Sequence, residues 1–278
     1  MDGSASSPGG GDHWGEAAPR VMRRVSVVIP AKNEERNLGW VMRRMPTGVD
    51  EVILVDGNSS DRTIEVVLAI RTDTIVVNDR EPGKGAALRA GFAAATGDYV
   101  VMLDADGSMD PVEIDRFVAA LDAGHDLAKG SRFLPGGGTA DISPLRQVGH
   151  VALLTFTNVL FGTRQTDLCY GYAAFRREAI TPLSLDARGF EIESQLFLRA
   201  ISSGLSVTEV PSFEAPRRFG TSNLRTFRDG WRVLRSIIRE WRRPTVSVRG
   251  AVRVHRPEPA LAELVASGIM SASIDTLE

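Results

Sequence analysis

The sequence predicts an α/β fold with a largely parallel sheet. Two observations carry that reading. Short β-branched runs alternate with segments of helical spacing through the first 120 residues, and each run is long enough to be a strand but too short for a helix. Alternation of this kind favours parallel strands joined by right-handed helical crossovers. Val25–Ile29 (VSVVI) reads as a buried strand, stopped by Pro30. Glu34–Met45 follows with helical spacing at Leu38, Val41, Met42 and Met45. Glu51–Val55 (EVILV) is the second strand, and Ser60-Asp61 offers an N-cap for a helix through Ile70. Thr74–Val77 is a third strand, Gly85–Ala95 a small-residue helix, Tyr99–Leu103 a fourth strand. Pro111 opens a helix through Leu121.

The second half is less regular. Pro135-Gly136-Gly137-Gly138 marks a flexible loop. Helices are expected over Arg146–Phe161 and Ile192–Gly204, and a strand over Ser206–Val210. The expected division is a disordered segment over 1–22, a catalytic domain over 23–220, a basic amphipathic helix over 221–243 and a C-terminal tail over 244–278. The 278 residues carry a net charge of −2, with 43% hydrophobic and 24% charged residues, in the range of ordinary globular domains. That total argues against a polybasic nucleic-acid binder. It also conceals a local excess, because residues 217–243 hold nine arginines against Asp229 and Glu240, a charge of +7. Within that stretch Leu224, Phe227, Trp231, Leu234, Ile238 and Trp241 recur at helical spacing, each followed by an arginine. Such a stripe suits a peripheral helix on an anionic membrane, and equally a helix docked on the core or on a second copy. One cysteine, Cys169, excludes an internal disulfide and a cysteine-based zinc site. Residues 1–20 lack the apolar core of a signal peptide, and no apolar run is long enough to span a bilayer. The expected location is the cytoplasm, with possible peripheral contact at the membrane face.

The strand ends carry the chemistry. In parallel sheets ligands bind beyond the carboxyl ends of the strands. Here those ends are Lys32-Asn33-Glu34, Asp56-Gly57-Asn58 and Asp104-Ala105-Asp106. Two carboxylates one residue apart can approach a Mg²⁺ or Mn²⁺ ion, which takes oxygen ligands and commonly shares them with phosphates. Asp is also common in plain turns. Gly83-Lys84-Gly85 precedes a helix, where glycines allow close backbone approach and the helix N-terminus favours anions. It is not a P-loop, because Asn78 and Gly85 stand where glycine and Ser or Thr are required. Asp56 can accept a hydrogen bond from a base or ribose, or serve as a turn residue. Arg132, Arg146 and Arg217 can converge on anionic groups. Glu191 and Glu193 sit at a helix start, where acidic residues also suit the helix dipole.

Seven pieces in order, VSVVIPAKNEERNL, VDGNSSDRT, GKGAALRAGFAAATGD, VMLDADGSMDP, KGSRF, TDLCYGYAAFRRE and RRFGTSN, span about residues 25–223. In that order they resemble the family 2 glycosyltransferases of GT-A fold, within them the dolichol-phosphate-mannose-synthase-like group. The resemblance implies a Rossmann-like, mostly parallel sheet flanked by helices. It implies inverting, metal-dependent transfer of a sugar from a nucleotide diphosphate sugar (GDP-mannose or a UDP-hexose). Pro30, Asn33, Glu34 and Asp56 would hold the nucleotide, with Lys84 nearby. Asp104 and Asp106 would hold Mg²⁺ or Mn²⁺ and the diphosphate. Arg132, Arg146 and Arg217 match the phosphate-binding arginines, and Asp167 and Glu191 would lie near sugar and acceptor. Two positions depart from the pattern: Gly57 replaces a frequent second Asp, and Ser108 a frequent Gln.

A polyprenyl phosphate acceptor is already anionic and needs no strong base. A hydroxyl acceptor would need one, with Glu191 or Glu193 as candidates. The Arg-rich helix favours the first. A non-catalytic nucleotide-sugar-binding protein is the alternative of another class, and the intact Asp104/Asp106 pair with Lys84 argues against it. A sugar-1-phosphate nucleotidyltransferase would carry a glycine-rich, arginine-containing signature after the first strand, where PAKNEERNL stands instead.

Overall fold

The computed structural model describes residues 23–221 and 225–244. Leu224 of the apolar stripe, the segment 1–22 and the tail beyond Pro244 lie outside the described residues. The strands are β1 Val25–Ala31, β2 Glu51–Asp56, β3 Ile75–Asn78, β4 Tyr99–Met102, β5 Leu127–Ser131, β6 Gly138–Thr139, β7 Ala173–Arg176, β8 Val207–Pro211 and β9 Phe213–Glu214. The helices are α1 Glu35–Arg43, α2 Thr63–Ile70, α3 Lys84–Ala94, α4 Ile114–Asp122, α5 Pro144–Phe161, α6 Arg177–Ile180, α7 Glu191–Ser202 and α8 Thr226–Arg242.

Seven strands form one sheet in the order β3-β2-β1-β4-β7-β5-β8. Every pairing is parallel except those of β7, which runs antiparallel to β4 and β5. The mostly parallel sheet flanked by helices is the expected architecture. Strands β1 and β2 are nearly wholly buried because helices cover both faces. Val28, Ile53 and Val55 face one layer with Leu88 of α3, Phe197 of α7 and Ile237 of α8. Val27, Ile29 and Leu54 face the other, with Leu38 and Val41 of α1 and Phe117 of α4. The period-2 alternation of strand side chains assigns neighbours to opposite layers.

Strands β5 and β7 were not apparent in the sequence. Leu127–Ser131 reads LAKGS, and its lysine and glycine hide a fully buried strand. Helix α8 covers 226–242, within the expected 221–243, and a face other than the apolar stripe meets the core. Val233, Ser236, Ile237 and Glu240 are buried, whereas Phe227 is 80% and Trp231 58% exposed. The apolar stripe therefore flanks the packed face and points partly to solvent. No helix among the described residues is long and apolar enough to cross a membrane.

Candidate active site

A cleft of about 660 Å³ lies over the carboxyl ends of β1–β4. Pro30, Glu34, Lys84, Asp104, Asp106, Arg132, Arg146, Glu193 and Arg217 all line it. Asn33, Asp56, Asp167 and Glu191 do not line it, and each has a local structural engagement.

Lys84 sits between two carboxylates, 2.5 Å from Asp104 and 2.7 Å from Glu193. Burial alone would lower the Lys84 pKa, but the two acids outweigh it and hold the ammonium above the ordinary lysine value. Burial, with Asp106 and Glu193 nearby, pushes the Asp104 carboxyl up to about 6 against the pull of Lys84. One cation is thus shared among several acids, a charge balance that a further cation in the cleft would relieve. Asp106 accepts hydrogen bonds from the backbone N–H and hydroxyl of Ser108, at 3.0 and 2.7 Å. Its other oxygen lies 3.4 Å from Arg217. Arg217 also pairs with Glu34, whose carboxylate accepts from Asn37 at 2.5 Å. Asp104 and Asp106 offer hard oxygen donors on one turn. Among the described residues no group of three or more His, Cys, Asp or Glu could hold a metal. A divalent ion here would therefore complete its shell with phosphate oxygens or water, which is what Mg²⁺ commonly does.

The glycines of Gly83-Lys84-Gly85 serve a protein contact. A Cβ on Gly85 would stand 2.5 Å from the Ala187 carbonyl, and one on Gly83 would overlap the Arg188 carbonyl. The Arg188 carbonyl accepts from Gly85 N–H at 2.8 Å and from Ala86 N–H at 3.3 Å. The first N–H groups of α3 are therefore capped by the 187–189 loop. The Gly85 and Ala86 N–H groups are thus occupied by a protein carbonyl, as in a plain helix-entry turn.

Other expected ligands are similarly committed. Asp167 is fully buried and binds Arg132 through Nε at 2.7 Å and a terminal nitrogen at 3.0 Å. Arg132 also pairs with Glu214 at 2.9 Å. This cluster holds Arg132 at the cleft wall and removes Asp167 from reach of a sugar. Glu191 turns back onto the Gly189 N–H at 3.1 Å. Asn33 has a left-handed φ of 57°, which Asn tolerates, and its side-chain oxygen accepts from Ser60 N–H at 2.8 Å. It staples the β1 loop to the β2 loop. Asp56 accepts from Ser59 N–H at 3.0 Å through one oxygen, while the other is buried without a partner.

Arg146 differs from Arg132 and Arg217. It lines the cleft from α5 with Asp141 at 4.0 Å as its ion-pair partner. One turn later His150 stacks on Phe133, 3.6 Å from Asp167, and burial lowers its pKa. Sequence reading missed His150, Glu214 and Asp79, all cleft-lining. The i, i+4 spacing of Arg146 and His150 was the available signal for the first.

A mostly parallel sheet, an Asp-x-Asp turn at its central strand and a cleft of interleaved acids and bases over the strand ends have the form of a GT-A transferase. Residues 26–182 match glycosyl transferase family 2. The chain belongs to that family and is a glycosyltransferase. It is 36% identical over 222 residues to a polyprenol monophosphomannose synthase of Mycolicibacterium smegmatis, covering 75% of this chain and 83% of that protein. It is 30% identical to a dolichol-phosphate mannosyltransferase of Pyrococcus furiosus, covering 73% of this chain and 59% of that one. These two relatives support the synthase-like grouping. Glucosyl-3-phosphoglycerate synthase of Mycobacterium tuberculosis, solved with Mn²⁺, UDP and product, shares the fold with a TM-score of 0.63 at 24% identity, covering 80% of this chain and 81% of that chain.

Proposed function

We propose that the chain transfers a sugar, with inversion, from a nucleotide diphosphate sugar to a polyprenyl phosphate. One observation carries the reading: the cleft that holds Lys84, Asp104 and Asp106 also holds Arg146, the least committed of the three expected arginines. A guanidinium with spare donors suits an acceptor phosphate. The acceptor oxygen is then already anionic and needs no base. The two candidate bases support this choice, because Glu193 is held by Lys84 and Glu191 by the Gly189 N–H. Asp104 and Asp106 would hold Mg²⁺ or Mn²⁺, which supplies charge neutralisation for the departing diphosphate. Lys84 faces the same developing charge, and preorganised cations of this kind stabilise a leaving group without reorganising. Arg146 orients the attacking phosphate.

Two helices at the cleft favour a lipid-borne acceptor. Beyond Phe227 and Trp231 on α8, helix α5 exposes Leu145, Val148 and Val151, with Val148 at 69%. Both helices also line the cleft, α5 through Arg146 and His150 and α8 through Asp229 and Val233. Exposed apolar residues beside the arginines of α8 match an anionic bilayer surface at the cytoplasmic face.

The test pairs GDP-mannose, UDP-glucose or UDP-N-acetylglucosamine with a short-chain polyprenyl phosphate and with soluble hydroxyl acceptors, in Mg²⁺ or Mn²⁺. Nucleoside diphosphate release that requires the polyprenyl phosphate is expected. Release that requires a hydroxyl acceptor instead would overturn the proposal. In a second test, Phe227→Asp with Trp231→Asp is expected to abolish sedimentation with anionic vesicles. Unchanged sedimentation would remove the membrane part.

A further inference from the structure

The segment after β9 crosses back over the turn that follows β4 and is fastened to it along its length. The Ala215 N–H donates to the Ser108 carbonyl at 2.8 Å, and the Arg218 N–H to the Asp106 carbonyl at 3.2 Å. Between these bonds the Arg217 side chain reaches Asp106 and Glu34. Beyond them the Asn37 side chain donates to the Phe219 carbonyl at 3.1 Å, and the Arg36 guanidinium lies 4.3 Å from the centre of the Phe219 ring. This strap of residues 215–219 thus carries one cation, Arg217, onto the Asp104-Ala105-Asp106 turn.

The neighbouring side chain, Arg218, anchors the strap outside the cleft. Its stem passes across Gly107, where a Cβ would stand 2.5 Å from Arg218 Cδ and 2.9 Å from Cγ, and where φ is 75°. Glycine meets both demands. The Arg218 guanidinium then ends 4.6 Å from the centre of the Trp40 ring on α1. Arg44 lies over the same ring at 5.1 Å and is fixed by Asp110 through bonds of 2.8 and 2.6 Å. Asp110 belongs to the same β4–α4 connection as Asp104 and Asp106. Among the described residues no carboxylate pairs with Arg218, so the ring contact is what holds its side chain. Indole is the best aromatic partner for a guanidinium, and a planar cation stacked on it keeps one orientation.

We propose that Trp40 is a positioning residue for the transfer: by stacking Arg218 it pins the 215–219 strap and so holds Arg217 beside the metal turn, facing the donor diphosphate. The inference rests on the donor-site reading given above and adds to it a residue outside the cleft. Its consequence is a difference in sign. In the free chain Arg217 neutralises Asp106 and therefore competes with a divalent cation for that carboxylate. With metal and diphosphate bound, the same guanidinium faces phosphate oxygens and attracts them. Loosening the strap weakens the hold on a diphosphate but not the hold on the metal alone.

Two titrations of the full chain read these halves separately: Mn²⁺ alone, followed by paramagnetic resonance of the free ion, and GDP or UDP in excess Mn²⁺, followed by calorimetry. Trp40→Ala and Arg218→Ala are each expected to weaken the tighter-binding nucleotide about tenfold while taking up no less Mn²⁺ than wild type. Trp40→Phe keeps an aromatic face and is expected to stay within about threefold of wild type. The double variant is expected to lose no more than either single one, because both remove the same contact. A parallel loss of Mn²⁺ and nucleotide in both variants would make Trp40 a support of the turn's fold and overturn the proposal. Unchanged nucleotide binding, or additive losses in the double variant, would also overturn it and leave the transferase reading intact. Failure of both nucleotides to bind wild-type protein would overturn the donor-site reading and the proposal with it. Arg218 is exposed, so its variant decides the matter even if Trp40→Ala fails to fold.

Discussion

Helix α7 takes part in two charged clusters, one at each end, and they behave oppositely. At its N-terminal end Glu193 joins Lys84 and Asp104 at the cleft wall. Six residues on, Arg199 joins Glu240 of α8 and Asp186. The parts are the same but the accounting differs. Arg199 gives Nε to Glu240 at 2.8 Å, one terminal nitrogen to the carbonyls of Leu183 and Ser184, and the other to Asp186 and Glu240. Gln195 adds bonds to Asp186 and Glu240. The guanidinium is saturated, and the cluster is a latch that seats α8 on the core. In the Lys84 cluster one ammonium faces two carboxylates at contact distance and a third nearby, beside open space. Saturation marks structure, and charge imbalance beside a cavity marks chemistry.

The largest expected effect lies on the latch. Glu240→Ala leaves Arg199 buried without its main counter-charge. Removing one partner of a buried pair costs about 3–5 kcal/mol. Urea unfolding is expected to show a loss of that order, while the molecules that stay folded bind nucleotide as before. A loss below about 1 kcal/mol would show that the latch is not saturated in solution.

Asp106→Ala should do the reverse. Asp106 is partly exposed but is the acceptor for the buried Ser108, so stability is expected to fall by about 1–2 kcal/mol, less than at the latch. Turnover is expected to fall by about 10²–10³, the usual result of deleting a group that stabilises transition-state charge. Equal activity in Mn²⁺ would move the metal away from this turn.

The same contrast explains what could be read in the sequence. Strands β1, β2 and β4 and their polar ends follow from local apolar runs, so the sheet and the residues on its carboxyl edge were legible. Residues whose role depends on a distant partner were not. Asp167 looked available for a sugar, yet it is consumed by Arg132, 35 positions away. Gly85 looked like a phosphate turn, yet it admits the 187–189 loop. The stripe Phe227, Trp231, Leu234, Ile238 and Trp241 gave the helix correctly but not its packed face. That face includes Glu240, which pairs with Arg199, Asp229, which accepts from the Arg225 N–H at the start of its own helix, and Ser236, whose hydroxyl is buried without a partner; buried polar residues of this kind escape an apolar count.

Arg146 sharpens the open side of the comparison. With Asp141 at 4.0 Å as its ion-pair partner, little structure depends on it. Arg146→Ala is expected to raise the KM for polyprenyl phosphate about tenfold, the scale of one charged hydrogen bond, with nucleoside diphosphate affinity unchanged. A weaker nucleoside diphosphate affinity with an unchanged acceptor KM would place Arg146 on the donor.

The smallest effect is graded with pH and falls on the latch. Burial alone would raise the Glu240 carboxyl, but its bonds from Arg199 and Gln195 outweigh that and hold its pKa below the ordinary glutamate value. A carboxylate with a depressed folded pKa contributes stability that is fully present above its unfolded value of about 4.3 and is lost as pH falls through the folded value. Asp186 shifts in the same direction, through Gln195 and Arg199. Between pH 7 and 5 the unfolding free-energy difference between wild type and Glu240→Gln should therefore be flat. Below about pH 4.3 it should shrink, because acid neutralises the wild-type carboxylate and makes it resemble the amide. A difference that stays constant into this acidic range would mean that Glu240 holds α8 through its shape and hydrogen bonds rather than its charge, and the latch would then owe nothing to the imbalance that distinguishes the cleft.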